Sequence, residues 1–506
     1  MRPAGLRTVG SDGVPGYPRP RTVPPRALAE LAELLGVPAP PVEVPVCGVT
    51  LASDAVEPGD LFAALPGAKV HGARFAVDAA HRGAVAVLTD PAGAALVDLP
   101  ALVVDDPRAV LGELAATIYD RPTEKLTVLG ITGTAGKTST VYLIESGLRA
   151  AGRVTGLVGT VETRLAGEVL DSARTTPEAS DLQALFAVAV ERGVSGMAME
   201  VSSHALTLGR VGGTHFAVGG YTNFGTDHLD FHPSVDEYFA AKAMLFDGRC
   251  EHEVINLDDG ALRPLIKPAT ITYSAIGHPR ATWRAEAVEP AGYGQRFVAY
   301  GPDGIQLDAA VTLPGRHNVA NALLALASLV AVGVEPEIAA IGIAACPGVP
   351  GRLERVPTPG PVLGVVDYAH KPDAIVAALA ALRESTRGRV ICVIGAGGDR
   401  DRGKRPLMGR AAAEGADLVI VTDDNPRTED PARIRAEMLA GAPGAVEIPG
   451  RREAIVEAVR RAEAGDVVAV LGKGHERGQE VGGEVHPFDD RVELAAALSD
   501  RFGGTP

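Results

Sequence analysis

Short, largely apolar runs punctuate this chain, each closing on a polar turn and followed by a stretch with helical spacing. Runs at 126–129, 196–199, 362–367, 390–394, 418–422 and 467–471 are too short and too uniformly aliphatic for half-exposed strands. They read as strands of parallel sheets covered on both faces. A smaller set at 46–49, 61–65, 84–88 and 101–104 brackets a helix-like stretch at 74–81. Helical spacing also fills 26–35, and a strand-rich stretch at 270–313 leads into an Ala/Leu-rich helix. The predicted fold is α/β in three domains: a small α/β domain over 27–106, a central parallel-sheet domain over 107–350 and a second doubly wound sheet over 351–506. Residues 1–26 carry Pro and Arg without periodicity and are expected to be a disordered extension.

Composition narrows the partners. The 506 residues carry a formal net charge of −15, which argues against a nucleic-acid backbone or an anionic membrane surface as main partner. Cys47, Cys250, Cys346 and Cys392 are scattered without metal-ligand spacing, as suits a reducing compartment. There is neither a spanning apolar run nor the apolar core of a signal peptide, so a cytoplasmic location is expected.

Chemistry concentrates at the ends of the apolar runs. After the run at 126–129 comes Gly130-Ile131-Thr132-Gly133-Thr134-Ala135-Gly136-Lys137-Thr138, then a helical stretch from Ser139. A strand feeding a glycine-rich turn into a helix aims backbone N–H groups at one point and binds phosphate there. Lys137 reaches terminal phosphates, and the Thr138 hydroxyl suits Mg²⁺. The glycines stand at 130, 133 and 136, a variant of the usual spacing. The run at 196–199 ends in Glu200, placed where open α/β sheets bind ligands, and 221–232 is dense in Asp and His, with His228 the best metal-ligand candidate. Lys242 sits among Ala, Met, Leu and Phe; composition alone favours a stem on apolar surface with the charge in water. Asn318 and Asn321 share a helical face that suits a base edge or a cap. Four polar loops follow the C-terminal strands: 366–373, 395–405, 423–427 and 472–476. They should converge at one ligand-binding edge.

Together these segments resemble the Mur ligase family over about residues 45–490, and within it the branch that adds meso-diaminopimelate to UDP-N-acetylmuramoyl-L-alanyl-D-glutamate. The marks are Gly130 to Thr138, Thr175-Thr176-Pro177, Glu200 to His204, Asp227 to His232, Lys242, Arg352, Asp367-Tyr368-Ala369-His370 and Gly472 to Glu476. The resemblance implies an ATP- and Mg²⁺-dependent ligase of peptidoglycan precursor synthesis, serving cell-wall formation, cell shape and division. In it a substrate carboxylate takes the γ-phosphoryl group of ATP, and an amine displaces the phosphate to form an amide.

By the same correspondence the catalytic set is Lys137, Glu200, His228 and Lys242. Thr138, Glu200, His228 and a carbamylated Lys242 would support Mg²⁺. Gly133, Thr134, Ala135, Gly136, Lys137, Thr138, Ser139, Asn318, Asp367 and His370 would bind ATP. The uridine nucleotide would meet Leu51, Ser53, Ala68, Lys69 and Val70, and its peptide arm Thr175, Thr176, Ser202 and Arg210. Arg400, Asp424, Asn425, Pro426, Arg427, Gly472 and Glu476 would form the amino-acid pocket. A far-end carboxylate calls for a guanidinium and a far-end ammonium for an acid, so lysine would leave Arg427 unpaired. The partners implied are these small molecules alone, and a monomer is expected. Ala135, Leu208, Thr226, His317 and Lys371 depart from the family pattern, none of them at a proposed metal ligand. The rival readings are a lysine-adding or folate-type ligase, against which Arg427 speaks, and a nucleotide-binding regulator without chemistry, against which Lys137, Glu200, His228 and Lys242 speak.

Overall fold

The computed structural model describes residues 17–170, 174–357 and 360–503. They divide into two compact units. The first runs through Ser274 and adds His278–Trp283 and Leu324–Gly342; the second takes Ala275–Gly277, Arg284–Leu323 and the chain from Ile343 on.

The first unit holds two sheets. In the smaller, Gly48–Thr50, Asp60–Ala63, Ala86–Thr89 and Ala101–Val103 pair in parallel in chain order. In the larger, the order runs Glu168–Leu170, Thr163–Leu165, Thr155–Val158, Gly196–Glu200, Thr127–Thr132, Phe216–Tyr221, Cys250–Asn256, Ile271–Ser274. All pairings are parallel except the two that Thr163–Leu165 makes, with Thr155–Val158 on one side and with the edge strand Glu168–Leu170 on the other, which are antiparallel. The strand that feeds the phosphate loop therefore has a parallel neighbour on each side, and its carboxyl end opens between theirs.

The extension expected to be disordered over 1–26 is corrected for residues 17–26. Arg19 donates to both carboxylate oxygens of Asp60, at 2.6 and 2.7 Å, and to the Tyr119 hydroxyl at 3.1 Å. The amides of Arg21 and Thr22 each donate to the Glu191 carboxylate at 3.1 Å, and Arg26–Ala27 pairs antiparallel with Pro45–Val46. A bidentate arginine pair orders chain without any local periodicity, so the hydrophobic pattern carries no trace of it. That pairing also trims the helix expected over 26–35 to Leu28–Leu35. Residues 1–16 lie outside the described residues.

In the second unit an antiparallel meander, Gly294–Tyr300 at its centre, precedes a sheet ordered Glu354–Val356, Leu363–Asp367, Val467–Leu471, Val390–Ile394, Leu418–Val421, Val446–Glu447. All but the first edge are parallel. Alternation along the strands fills two cores: Val390, Cys392 and Ile394 pack with helices Pro372–Ser385 and Lys404–Gly415, while Ile391 and Val393 pack with Arg451–Arg461 and Asp490–Phe502. Val467–Leu471 inserts between Leu363–Asp367 and Val390–Ile394, two strands that both precede it in sequence, and the four polar loops emerge together at the carboxyl edge of this parallel sheet. Among the described residues no helix is long and apolar enough to cross a membrane.

Candidate active site

Gly133 and Gly136 make the phosphate loop possible. Both have positive φ, 137° and 87°, and a Cβ on Gly133 would lie 1.8 Å from the Thr222 hydroxyl. Gly136 caps helix Lys137–Ala150, whose first amides have no acceptor within the helix. The end of the adjacent strand holds the loop open. Thr134 N donates to the Asn223 carbonyl (2.8 Å), Ala135 N to Asn223 Oδ1 (3.0 Å), and Asn223 Nδ2 and Thr222 Oγ1 return bonds to the Ala135 carbonyl. The Thr134 hydroxyl meets that of Tyr238 at 3.2 Å. Thr138 and Ser139 are buried in the first turn. Lys137 Nζ folds back onto the carbonyls of Gly133 (2.8 Å) and Thr134 (3.2 Å).

Glu200 ends the neighbouring strand in register with Ile131 and is 1% exposed. Its carboxylate accepts from Thr160 N (2.8 Å) and Thr160 Oγ1 (3.1 Å), and its carbonyl from Thr176 Oγ1 (2.9 Å). One polar network follows from there: Thr160 to Thr175 at 3.0 Å, Ser202 N to Thr176 Oγ1 at 3.3 Å, and Arg210 to the Thr176 carbonyl at 3.3 Å and to Glu178 at 2.9 Å. The residues expected at the peptide arm thus stand together beside Glu200.

Lys242 is 1% exposed, so the composition-only reading of a solvated charge is corrected. Helix Val235–Ala243 carries it inward, where Nζ donates to the Gly133 carbonyl at 2.8 Å and lies 4.7 Å from the centre of the Tyr238 ring. His228, at φ 53°, is half-exposed; its Nε2 pairs with Asp227 at 3.2 Å, and its ring meets those of His204 (4.8 Å) and Tyr238 (6.1 Å). Burial holds the pKa of His204 below the ordinary histidine value.

The uridine candidates occupy two loops at the carboxyl edge of the small sheet. Leu51 and Ser53 follow Gly48–Thr50, and the exposed Ala68, Lys69 and Val70 follow Asp60–Ala63.

In the second unit Asp367 is buried and commits its oxygens to the amides of Leu353 (2.6 Å) and Ala369 (2.7 Å), so it fixes its turn; burial pushes its pKa up. His370 Nδ1 lies 2.9 Å from the Tyr368 carbonyl. Asn318 is 3% exposed, with bonds to the Pro314 carbonyl (2.8 Å), His317 (3.1 Å) and Asn321 (3.0 Å).

The amine-pocket candidates converge. Asn425 Nδ2 donates to Glu476 Oε2 at 2.8 Å. A Cβ on Gly472 would lie 2.6 Å from Asp424 Oδ2, and its φ of 116° suits glycine. Arg427 donates Nη1 to the Gly398 carbonyl (2.7 Å) and pairs Nε with Glu480 (3.1 Å), while its amide bonds the Glu480 carbonyl. Pro426 is buried between these residues in sequence, and Arg400 is exposed on the loop after Val390–Ile394.

Comparison with known proteins agrees with this anatomy. Residues 45–119 match the family described as "Mur ligase family, catalytic domain", 131–329 the "Mur ligase middle domain", and 351–474 the "Mur ligase, glutamate ligase domain". A protein of Streptomyces coelicolor named UDP-N-acetylmuramoyl-L-alanyl-D-glutamate–2,6-diaminopimelate ligase is 53% identical, covering 97% of this chain and 99% of its own. This chain belongs to the Mur ligase family. A solved structure of a ligase of that same name superposes with a TM-score of 0.68 at 32% identity, covering 94% of this chain and 99% of the other. At 18% identity a Mur ligase from Thermotoga maritima, solved in complex with ADP, shares the fold, with a TM-score of 0.62 over 90% of this chain and 98% of its own.

Within this Mur ligase fold several residues escaped sequence reasoning. Thr222, Asn223 and Tyr238 shape the phosphate loop, Thr160 holds the Glu200 carboxylate, and Lys473, Gln479 and Glu480 brace the amine pocket. Asn223 and Lys473 stand inside motifs quoted from the sequence, but only the register of neighbouring strands gives them partners. Thr160 and Glu480 carry no local signal.

Proposed function

We propose that the protein is the cytoplasmic ATP-dependent ligase that adds meso-diaminopimelate to UDP-N-acetylmuramoyl-L-alanyl-D-glutamate in peptidoglycan precursor synthesis. The observation that carries this reading is Arg427: its guanidinium is fixed by the Gly398 carbonyl and the Glu480 carboxylate, on the same loop as Asp424 and as Asn425, which bonds Glu476. A substrate whose far end bears both a carboxylate and an ammonium matches that set. The name of the Streptomyces coelicolor relative supports the same substrate. Three functional domains over 27–106, 107–350 and 351–506, and action as a monomer, belong to the proposal.

In this reading the phosphate loop cradles the ATP phosphates, with Lys137 swung from its own loop onto the β- and γ-oxygens. The D-glutamyl carboxylate, held near Thr175, Thr176, Ser202 and Arg210, attacks the γ-phosphorus; the bond to the β–γ bridging oxygen breaks and ADP leaves. The free amine of diaminopimelate then attacks the acyl phosphate carbon, expelling phosphate and giving up a proton as the amide forms. Positioning and charge neutralisation supply most of such catalysis.

Mg²⁺ fits the residues present. Glu200 is a buried carboxylate whose hydrogen bonds come from an amide and a hydroxyl, leaving its charge for a cation. Thr138 and Glu200 would hold one ion, His228 with a carbamylated Lys242 would support a second, and the two would neutralise phosphate charge. Carbamylation starts from the neutral amine: the Lys242 ammonium gives up one proton, its nitrogen then bonds to the carbon of CO₂ and gives up a second, so a cation becomes an anion.

The test is phosphate release and product mass with ATP, Mg²⁺ and the UDP-dipeptide, comparing meso-diaminopimelate with L-lysine. Amide product with diaminopimelate alone is expected. Turnover with lysine overturns the pocket assignment, and no amide with either amine overturns the ligase reading.

A further inference from the structure

Beneath the proposed amine pocket lie two fully buried cations, Arg451 and Lys473, to which sequence reasoning gives no role. Arg451 is anchored by Asp490 at 2.6 and 2.7 Å and reaches Asp424 Oδ2 at 3.7 Å. Lys473, 0% exposed, donates to Asn425 Oδ1 at 2.9 Å and to Glu476 Oε2 at 3.1 Å. Each carboxylate suited to a substrate ammonium is thus backed from inside by its own positive charge.

We infer that Lys473 is a positioning residue for recognition of the distal ammonium of the amino-acid substrate. This rests on the proposed reading of the pocket. Glu476 Oε2 is claimed twice, by Lys473 and by Asn425 Nδ2 at 2.8 Å, which fixes the plane of the carboxylate and directs Oε1 to the substrate. Asn425 is itself held at both ends, since its Oδ1 also accepts from the Glu480 amide at 3.0 Å. The triad cannot rotate without leaving a buried ammonium unpaired. Glu476 remains a third exposed, so when Lys473 is neutralised the carboxylate keeps only the Asn425 bond and can pivot about it toward solvent. The loss then falls on aim rather than on the fold.

The contrast with Arg427 makes this testable. Arg427 is fixed by the Gly398 carbonyl and the Glu480 carboxylate, and its link to Lys473 runs only through the Glu480 backbone and Asn425, so its own two anchors survive a change at Lys473. Lys473→Met is compared with the unaltered protein on three amines: meso-diaminopimelate, 2-aminopimelate, which lacks the distal amine, and L-lysine, which lacks the distal carboxylate. In the unaltered protein diaminopimelate is expected to outperform 2-aminopimelate in kcat/KM by about 10- to 100-fold, the range of a charged hydrogen bond. In Lys473→Met that preference collapses to about threefold or less through KM for the amine, while KM for ATP and discrimination against lysine persist. A variant that keeps the unaltered preference overturns the inference alone. Amide formation by the unaltered protein with none of the three overturns the functional reading and the inference with it. If neither Lys473→Met nor Lys473→Gln yields a cooperatively melting protein, Lys473 belongs to the stability of the fold and the positioning role is likewise overturned.

Discussion

Lys137 and Lys242 donate to one acceptor: each Nζ lies 2.8 Å from the carbonyl oxygen of Gly133. Two ammonium groups sharing a carbonyl are close enough to repel by about 3 kcal/mol at an effective dielectric near 20. Carbamylation of Lys242 turns that repulsion into attraction and frees the Gly133 carbonyl for one donor. Intact-peptide mass spectrometry of protein kept in bicarbonate should find one added CO₂ on Lys242. Lys242→Arg keeps the positive charge and cannot form the carbamate in the same geometry; kcat should fall by about 10²- to 10³-fold, the usual loss for one electrostatic group. Full activity in Lys242→Arg would remove the carbamate from the mechanism.

Gly133→Ala tests the loop itself. The new methyl would meet the Thr222 hydroxyl at 1.8 Å and the Asn223 carbonyl at 3.1 Å, at a φ of 137° that side chains avoid. Strain and overpacking together cost about 1–3 kcal/mol or more. Because Thr222 and Asn223 hold the Ala135 carbonyl, the displacement passes straight to the phosphate cradle. KM for ATP should rise at least about tenfold, the equivalent of 1.4 kcal/mol, with the KM for the amine little changed. A Gly133→Ala protein with unaltered ATP kinetics would contradict the cradle.

Much of this anatomy is legible in the sequence because parallel sheets bury both faces: 390–394 and 467–471 are strands over the very bounds that their apolar runs mark. The loops after these strands share an edge by topology, so Asp367, Asn425 and Glu476 were placed at one edge before any contact was known. What stayed hidden depends on partners distant in sequence. Arg19 reaches Asp60, 41 residues on, and Lys473 reaches Asn425, 48 residues back. A buried lysine and a surface lysine look alike in composition, so only the family motif separates the two readings of Lys242.

Asp181 offers a stability prediction outside the chemistry. It opens helix Ala179–Glu191, and burial, reinforced by the nearby Glu178 charge, pushes its pKa up to about 6. The folded protein therefore binds this proton more tightly than the unfolded chain, so the stabilising contribution is present below about pH 4 and is lost as pH rises through 6. Asp181→Asn removes the penalty at neutral pH. A gain of about 1–2 kcal/mol is expected at pH 7.5, after discounting a ceiling near 3 for solvent access, and none at pH 4. Thermal melts at the two pH values check it; equal gains at both would show that charge is not the cause.

His370 carries the opposite sign. Burial, with Lys371 and Lys404 adding to it and the Tyr368 carbonyl opposing, pushes its pKa down to about 4. With Nδ1–H donating to that carbonyl, the neutral ring leaves Nε2 as an acceptor across the neutral range. The unfolded chain takes up a proton near pH 6.5 while the folded turn refuses it until about pH 4, so stability is complete above 6.5 and drains away as pH falls between the two values. The full difference amounts to about 3 kcal/mol as a ceiling, set by a shift of roughly two and a half pH units. His370→Gln keeps a side-chain amide donor and has no proton to gain, so its melting temperature should fall less steeply than that of the unaltered protein between pH 6.5 and 4. Parallel curves for the two proteins would assign the acid sensitivity of this unit to other groups.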